Sequence, residues 1–446
     1  MQKVDLLIIG GSAGGILSAT TARKVYGDID ITVIRDKETV MVPCGIPYIY
    51  GTLKDTSKNI IPDKVLTSND INLLVDKVTK INKQEKFVVT EKNENIYYDK
   101  LIIATGSLPI IPSFPGKELE NIFPVYKDEV YLKSLLAKMS DFQDIVVIGG
   151  GFIGVEFAEQ MKKSGKNITL VQRGDKCLRR NFDAEFSDEA EKLLIENGIN
   201  VKTNTQIEEF IGEKCVKEIK LSNGETIKAD AVLLGAGVKA NSILAQDAGI
   251  EVNDDEAIVV NEYMRTSDPD VLAVGDCAQK TCFFTRNSVP ILLASTAAVE
   301  AKIAGYNVFK NKLTRKNKGT INAFSTKIYG RAFGAVGLTE KQAIAENFDI
   351  VVGEFSTMDH HPGSLPNTQT IKMKLIFSKY SGVIMGGQIS GGDSIGEMIN
   401  ILSLAIQQGM SAADLNTLQV ATHPLLTASP IAYPINGAAM NVIEKM

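Results

Sequence analysis

No run of lysine or arginine long enough to track a phosphate backbone occurs in this chain, and its formal net charge is -5. A nucleic-acid partner is therefore not expected. No uninterrupted apolar stretch reaches the length that spans a bilayer, which argues against membrane insertion. The opening Met1-Gln2-Lys3-Val4-Asp5 enters a buried-strand pattern at once and leaves no room for a secretory signal, so a soluble, cytoplasmic protein is predicted. Cysteine is sparse: Cys44, Cys177, Cys215, Cys277 and Cys282 are odd in number and never spaced C-x-x-C. Neither a disulfide framework nor a metal site is expected from them. Histidine is scarcer still, with only His360, His361 and His423, all toward the C-terminal end.

What is present is enough apolar sequence for several cores. With 446 residues, 44% of them hydrophobic and 23% charged, the chain predicts roughly two to four folded domains. It begins with Val4-Asp5-Leu6-Leu7-Ile8-Ile9, a continuous apolar run suited to a parallel strand buried on both faces. Gly10-Gly11-Ser12-Ala13-Gly14-Gly15 follows, then a helical stretch to about Tyr26. In the dinucleotide fingerprint G-x-G-x-x-G, the first glycine makes the tight turn, the middle one admits a pyrophosphate and the last lets helix and strand pack closely. Ser12 stands at the middle position, so the match is imperfect. Asp36, after the strand Ile31-Thr32-Val33-Ile34, is placed to accept hydrogen bonds from a ribose.

A second copy of the unit carries more weight. Asp144-Ile145-Val146-Val147-Ile148 leads into Gly149-Gly150-Gly151-Phe152-Ile153-Gly154, a full fingerprint with Glu156 following on its helix. The next strand ends in Gln172-Arg173 rather than in the acid that grips a ribose 2′-hydroxyl. Arg173 can pair with a 2′-phosphate, which favours NADPH over NADH, although an exposed loop arginine has no need of such a role.

Two further strands end in small-residue turns. Leu101-Ile102-Ile103 runs into Ala104-Thr105-Gly106 and a proline-rich crossing at Pro109, Pro112 and Pro115; Val271-Leu272-Ala273-Val274 runs into Gly275-Asp276. Asp276 is suited either to cap a helix or to hold the hydroxyls of a flavin's ribityl chain. Between the glycine units lies Val42-Pro43-Cys44-Gly45-Ile46-Pro47-Tyr48. A helix begun there would aim its free N–H groups at the Cys44 sulfur and lower the thiol pKa.

Together, Gly10 to Gly15, the Ala104-Thr105-Gly106 turn, the second fingerprint with Glu156, and Thr266-Ser267-Asp268-Pro269 leading to Gly275-Asp276 resemble the pyridine nucleotide-disulfide oxidoreductases over essentially the whole chain. The resemblance implies an α/β protein with two Rossmann-like domains and a C-terminal α+β dimerisation domain. The first unit would bind FAD (1–115, completed by 244–315), the second NADPH or NADH (116–243), and residues 316–446 would dimerise. It implies cofactor contacts from Gly10, Ser12, Ala13, Gly14, Gly15, Asp36, Ala104, Thr105, Gly106, Asp276, Ser295 and Thr296. For the second unit they come from Gly149, Gly151, Phe152, Ile153, Gly154, Glu156, Gln172, Arg173 and Gly237.

The cysteine selects the branch. Members with two cysteines carry the second five positions after the first, where this chain has Ile49. The Cys-x-Ile-Pro-Tyr segment is similar to that of the single-cysteine coenzyme A-disulfide reductases, persulfide reductases, NADH oxidases and NADH peroxidases. Oxidases and peroxidases usually carry histidine where Ala13 stands, which shifts weight to the disulfide and persulfide reductases. In this resemblance NADPH reduces FAD, FAD reduces Cys44, and Cys44 attacks coenzyme A disulfide or a related small disulfide or persulfide. His423 or His361 of the partner subunit, or less readily Tyr433, would protonate the departing thiolate. His361 stands before Pro-Gly where a tyrosine is expected, and His423-Pro424 is similar to the His-Pro of the two-cysteine members. Arg23 and Lys24 are candidates for coenzyme A phosphates, though a solvated helix face also accounts for them. Two alternatives stay open: an oxidase reducing oxygen with Cys44 cycling through a sulfenic acid, and a flavin reductase of a small iron–sulfur carrier in which Cys44 is incidental.

Overall fold

The computed structural model describes residues 2–312 and 316–446; the domain junction expected at 315 lies outside them. The apolar runs that open each glycine unit do become buried parallel strands. In the first sheet the strand Gln2–Ile9 lies between Ile31–Arg35 and Asn95–Ile103, parallel to both, and Val271–Ala273 pairs in parallel with Asn95–Ile103. Their register places Ile9 opposite both Ile34 and Ile103, and Ala273 opposite Ile103. Four strand ends therefore meet on one edge, the position at which open parallel sheets hold ligands.

The second sheet is built from five strands, all parallel, with Asp144–Ile148 between Asn167–Val171 and Ala231–Leu234. A three-stranded antiparallel meander, Ile207–Gly212, Val216–Leu221 and Thr226–Lys228, covers its far face through a small core of its own. The chain enters and leaves this domain through a two-stranded ribbon in which Ser107–Pro109 pairs with Val238–Ala240. The C-terminal part is a five-stranded antiparallel sheet. Its strand Thr370–Ser378 lies within that sheet, and the helix Ile395–Gln408 packs against the strands Arg331–Gly337 and Ile384–Gly391. Together the parts give the α/β architecture with two Rossmann-like units and an α+β end.

Among the described residues no helix is long and apolar enough to cross a membrane, and no group of histidine, cysteine and acidic residues is arranged to hold a metal ion.

Candidate active site between the two glycine units

The first glycine turn is dictated by close backbone approach. Gly10 has φ +113°, and a Cβ on it would lie 2.1 Å from the Ala104 carbonyl oxygen. A Cβ on Gly15 would lie 1.9 Å from the Gly10 oxygen, so neither position admits another residue without moving the backbone. The helix Ala13–Tyr26 that follows has no acidic residue in its first turn, and its N-cap Ser12 makes no side-chain cap bond. Its N–H groups and dipole end are thus free to meet a phosphate. Gly14 packs on Val274 and Gly275, which brings the Gly275–Cys277 turn to the same place.

That turn is held from beneath by a buried ion pair. Lys280 and Glu300, both about as buried as side chains become, bond each other at 3.1 Å. Glu300 accepts from the Gly275 N–H and Lys280 donates to the Gly275 carbonyl. Asp276 accepts from Ser107 Oγ at 2.8 Å and from Lys127 Nζ at 3.1 Å. Burial opposes its ionisation, but Lys127 and Ser107 outweigh that and hold its carboxyl below the usual range. Thr105 bonds the Asn241 carbonyl, and Ser295 and Thr296 open the helix Ala294–Asn307, which packs against the Gly275–Cys277 turn. A cradle that excludes Cβ atoms at Gly10 and Gly15, a free helix end and an oriented acid fit a flavin dinucleotide.

Asp36 lies beyond its strand end, exposed, with Lys37 as its nearest cation at 3.9 Å. The side chain under the turn belongs to Arg35, whose Cδ would be 2.8 Å from a Cβ on Gly11 and whose guanidinium is fixed by Asp63 and by the Lys37 and Glu38 carbonyls. Arg23 is not a free phosphate ligand: its guanidinium donates to the carbonyls of Asn69, Gly27 and Asp70, closing the C-terminal end of its helix. Lys24 is exposed beside it. Both stand in the last turn of the helix, far from the end that meets the glycine turn.

The second unit repeats the construction. Gly149 has φ +104°; a Cβ on it would lie 2.3 Å from the Gly235 oxygen, and a Cβ on Gly154 would meet the Gly149 oxygen at 1.8 Å. Around Gly151, by contrast, such a Cβ would meet nothing within 4 Å, the open approach a pyrophosphate needs. Phe152 and Ile153 begin the helix, and Gly237, with φ +102°, starts the returning ribbon. Gln172 accepts the Gly150 N–H at 3.0 Å and so is spent on the turn itself. Arg173 is exposed. Arg179, which the sequence reading passed over, folds back over Gly174: a Cβ there would lie 2.9 Å from its Nη1 and 2.9 Å from Gln172 Nε2. Asp175 pairs with Arg179 at 2.6 Å. The strand Asn167–Val171 is thus followed by an exposed Arg173 and by an Arg179 paired with Asp175.

Cys44 lies where the two units meet. It sits in the single 3-10 turn Pro43–Gly45, exposed. A Cβ on Gly45 would lie 1.9 Å from Asn59 Oδ1, and Asn59 Nδ2 bonds the Val42 carbonyl, so the turn is clamped on both sides. Ile46, Ile49 and Tyr50 are buried in a core shared with Phe157 of the second glycine helix. Thr52 bonds Gln160, and Ser164 bonds the Tyr50 carbonyl, so the loop rides on that helix. Ile49, at the place of a second cysteine, is wholly buried.

The expected lowering of the Cys44 thiol pKa is not found. The residue is open to solvent on one side, but its sulfur is partly enclosed by the protein, and that desolvation raises the pKa; the Glu156 and Asp276 charges add to the rise, and Lys127 opposes them. One 3-10 turn has no helix dipole to offer, and Cys44 is inside the turn rather than before it. Glu156 bonds Thr326 Oγ1 at 2.7 Å, yet burial and the neighbouring Glu159 push its carboxyl up to about 7.

The remaining candidates lie in the C-terminal part. His361 and His423 come together: the His361 N–H bonds the Pro424 carbonyl at 3.1 Å, and its Nδ1 lies 3.0 Å from the Thr427 oxygen. Tyr433 does not join them; it is buried in the C-terminal core, where burial raises its hydroxyl pKa. Lys127 and Arg179 are the residues that sequence reasoning missed. For Arg179 a signal exists, since Arg173, Lys176, Arg179 and Arg180 crowd one short loop.

The family model described as pyridine nucleotide-disulphide oxidoreductase matches residues 4–301, and that of the family's dimerisation domain matches 324–431. The NADH oxidase of Enterococcus faecalis is 30% identical over 425 residues, covering 92% of this chain and 94% of the relative. The NAD(P)H coenzyme A polysulfide/persulfide reductase of Pyrococcus horikoshii is 29% identical over 420 residues, 93% of each. Among solved structures, a NAD-dependent persulfide reductase from A. fulgidus superposes with TM-score 0.91 at 29% identity, covering 99% of this chain and 83% of that one.

Proposed function

Because the chain belongs to the pyridine nucleotide-disulphide oxidoreductase family, whose members bind FAD and NAD(P)H, we propose that it reduces coenzyme A disulfide, or a related small disulfide or persulfide, through Cys44. The observation that carries this reading is the convergence on one exposed sulfur of groups from both glycine units: Glu156 from the second, Asp276 and Lys127 from around the first. The relative from Pyrococcus horikoshii, named for coenzyme A persulfide, supports the substrate class. FAD, when bound, supplies the two-electron link between a nicotinamide hydride and the sulfur.

The chain's own residues do the rest. Gly10, Gly14, Gly15 and Ser12 would seat the flavin pyrophosphate and Asp276 its ribityl hydroxyls. Gly149, Gly151 and Gly154 would seat the nicotinamide dinucleotide, with Arg173 and Arg179 on a 2′-phosphate, giving NADPH the advantage. Lys127 faces Cys44 with a positive charge that favours its thiolate, the form that attacks a disulfide. Histidines of the C-terminal segment, brought across a dimer, supply the proton for the departing thiolate.

The competing reading is an NADH oxidase, which the name of the Enterococcus faecalis relative favours. Anaerobic NADPH oxidation with coenzyme A disulfide, run beside Cys44→Ser, separates the two. Turnover without oxygen that disappears in the variant is the expected result. A protein idle until air is admitted is an oxidase instead.

A further inference from the structure

The side chains of Lys280 and Glu300 are 2% and 1% exposed, yet the pair they form is a poor device for stability. Taking two charges out of water costs more than their attraction commonly returns, and apolar side chains of similar size usually serve a core as well. Glu300 makes the balance worse. Its Oε1 is buried and makes no hydrogen bond among the described residues. Burial pushes its carboxyl pKa up, against the opposing pull of Lys280 and the Gly275 N–H.

What the pair does hold is the backbone on both sides of one glycine. Glu300 Oε2 accepts the Gly275 N–H at 2.8 Å, which fixes the peptide plane joining Val274 to Gly275. Lys280 Nζ donates to the Gly275 carbonyl at 2.6 Å, which fixes the plane joining Gly275 to Asp276. Its other hydrogens face the Ala278 carbonyl at 2.8 Å and Glu300 Oε2 at 3.1 Å. With both planes held, φ and ψ of Gly275 are set together. Gly275 has φ +75°, the conformation that a glycine enters freely and leaves as freely unless something restrains it.

Asp276 is the next residue, so its side chain turns with that second plane. Ser107 and Lys127 both bond its Oδ2, and Oδ1 receives no hydrogen bond among the described residues. The clamp thus leaves one carboxylate oxygen oriented and free to accept. Glu300 stands on the helix Ala294–Asn307 and Lys280 on the loop beyond the turn, so the clamp joins two separate parts of the flavin unit.

We infer that Lys280 and Glu300 are positioning residues for the flavin: by holding the peptide planes on both sides of Gly275, they aim Asp276 Oδ1 at a ribityl hydroxyl. The inference rests on the reading of Asp276 as the ligand of the ribityl chain. Neither residue acts on the flavin directly; each acts through Asp276.

Lys280→Met/Glu300→Leu removes the clamp without stranding a buried charge. FAD release from diluted holoenzyme, read as the rise in flavin fluorescence, is compared for wild type, this double variant, Asp276→Ala and the triple variant. Asp276→Ala and the double variant should each release FAD about tenfold or more faster than wild type, the scale of a lost hydrogen bond to a charged group. The triple variant should match Asp276→Ala within about twofold, because a carboxylate that is absent cannot be misdirected. Lys280→Met/Glu300→Gln keeps an acceptor for the Gly275 N–H and should fall between wild type and the double variant; it carries the same comparison if the leucine version does not fold. KM for NADPH, measured with FAD in excess, should stay within about twofold of wild type in all of them, since the second glycine unit is untouched.

Release as slow as wild type in both paired variants would overturn the assignment. So would a triple variant that shows the product of two separate effects, or a KM for NADPH that rises in step with FAD release, which marks a general loosening of the fold. An Asp276→Ala protein that keeps its FAD as wild type does would instead sink the reading of Asp276 on which the inference rests.

Discussion

Cys44 is surrounded by charges that pull in opposite directions, and which one wins sets how much thiolate is present. Burial and Glu156 raise the thiol pKa while Lys127 lowers it. Lys127→Ala should therefore slow alkylation of Cys44 at neutral pH, and Glu156→Gln should speed it, both followed as the pH dependence of iodoacetamide labelling. Glu156 also links the site to stability. Its carboxyl has an ordinary pKa of 4.5 and is pushed up to about 7 in the fold. A raised carboxyl pKa means that folding favours the protonated acid. Its contribution is whole below pH 4.5 and is lost as the pH climbs through about 7. Glu156→Gln should accordingly stabilise the protein at pH 8, by an amount on the order of 2 kcal/mol after allowance for its partial exposure, and leave stability near pH 4 unchanged. Thermal melts of the two proteins at both pH values check this, and equal Tm for variant and wild type throughout would contradict it.

At the scale of elements, the parts that were legible in the sequence are those whose geometry depends on near neighbours. The strand, glycine turn and helix of each unit follow from buried runs and from Gly10, Gly15, Gly149 and Gly154, where backbone contact forbids a Cβ. What could not be read is which side chain ends up beneath a turn. Arg35 lies under Gly11 with its guanidinium fixed by Asp63, far along the chain. Arg23 closes its own helix on the carbonyls of Asn69 and Asp70, again a distant pairing. The loop after Val171 shows the same effect in reverse, since Arg179 reaches the cofactor-facing strand end only by folding over Gly174. Arg173→Ala and Arg179→Ala should each raise KM for NADPH by about tenfold or more while moving KM for NADH little, as loss of a charge-assisted bond to one phosphate would. Equal effects on the two nucleotides would remove both residues from that role.

At the scale of the whole molecule, the second glycine unit and the C-terminal sheet are locked together by groups that no local pattern couples. Asp183 accepts from the N–H groups of Glu340 and Lys341 and from Gln388, while Lys374, nearly buried, pairs with Asp183, Glu185 and Glu340. Such a clamp fixes the start of the helix Ala184–Glu196 against the C-terminal sheet, and the helix bearing Glu156 is tied to the same sheet by the Glu156 bond to Thr326 and the Glu159 bond to the Tyr329 N–H, so each subunit presents its Cys44 loop and its C-terminal part together. Whether one subunit's cysteine works with its own histidine or with its partner's is then decided by how two such bodies meet. Mixing Cys44→Ser subunits with His361→Asn subunits resolves this. If the site is shared across a two-fold dimer, the mixed dimer regains one intact site, formed by Cys44 of one subunit and His361 of the other. Activity after random exchange should then recover to about a quarter of wild type, because about half the dimers are mixed and one site in each is intact. If cysteine and histidine of the same subunit work together, every dimer lacks one of the two at each site, and exchange restores nothing.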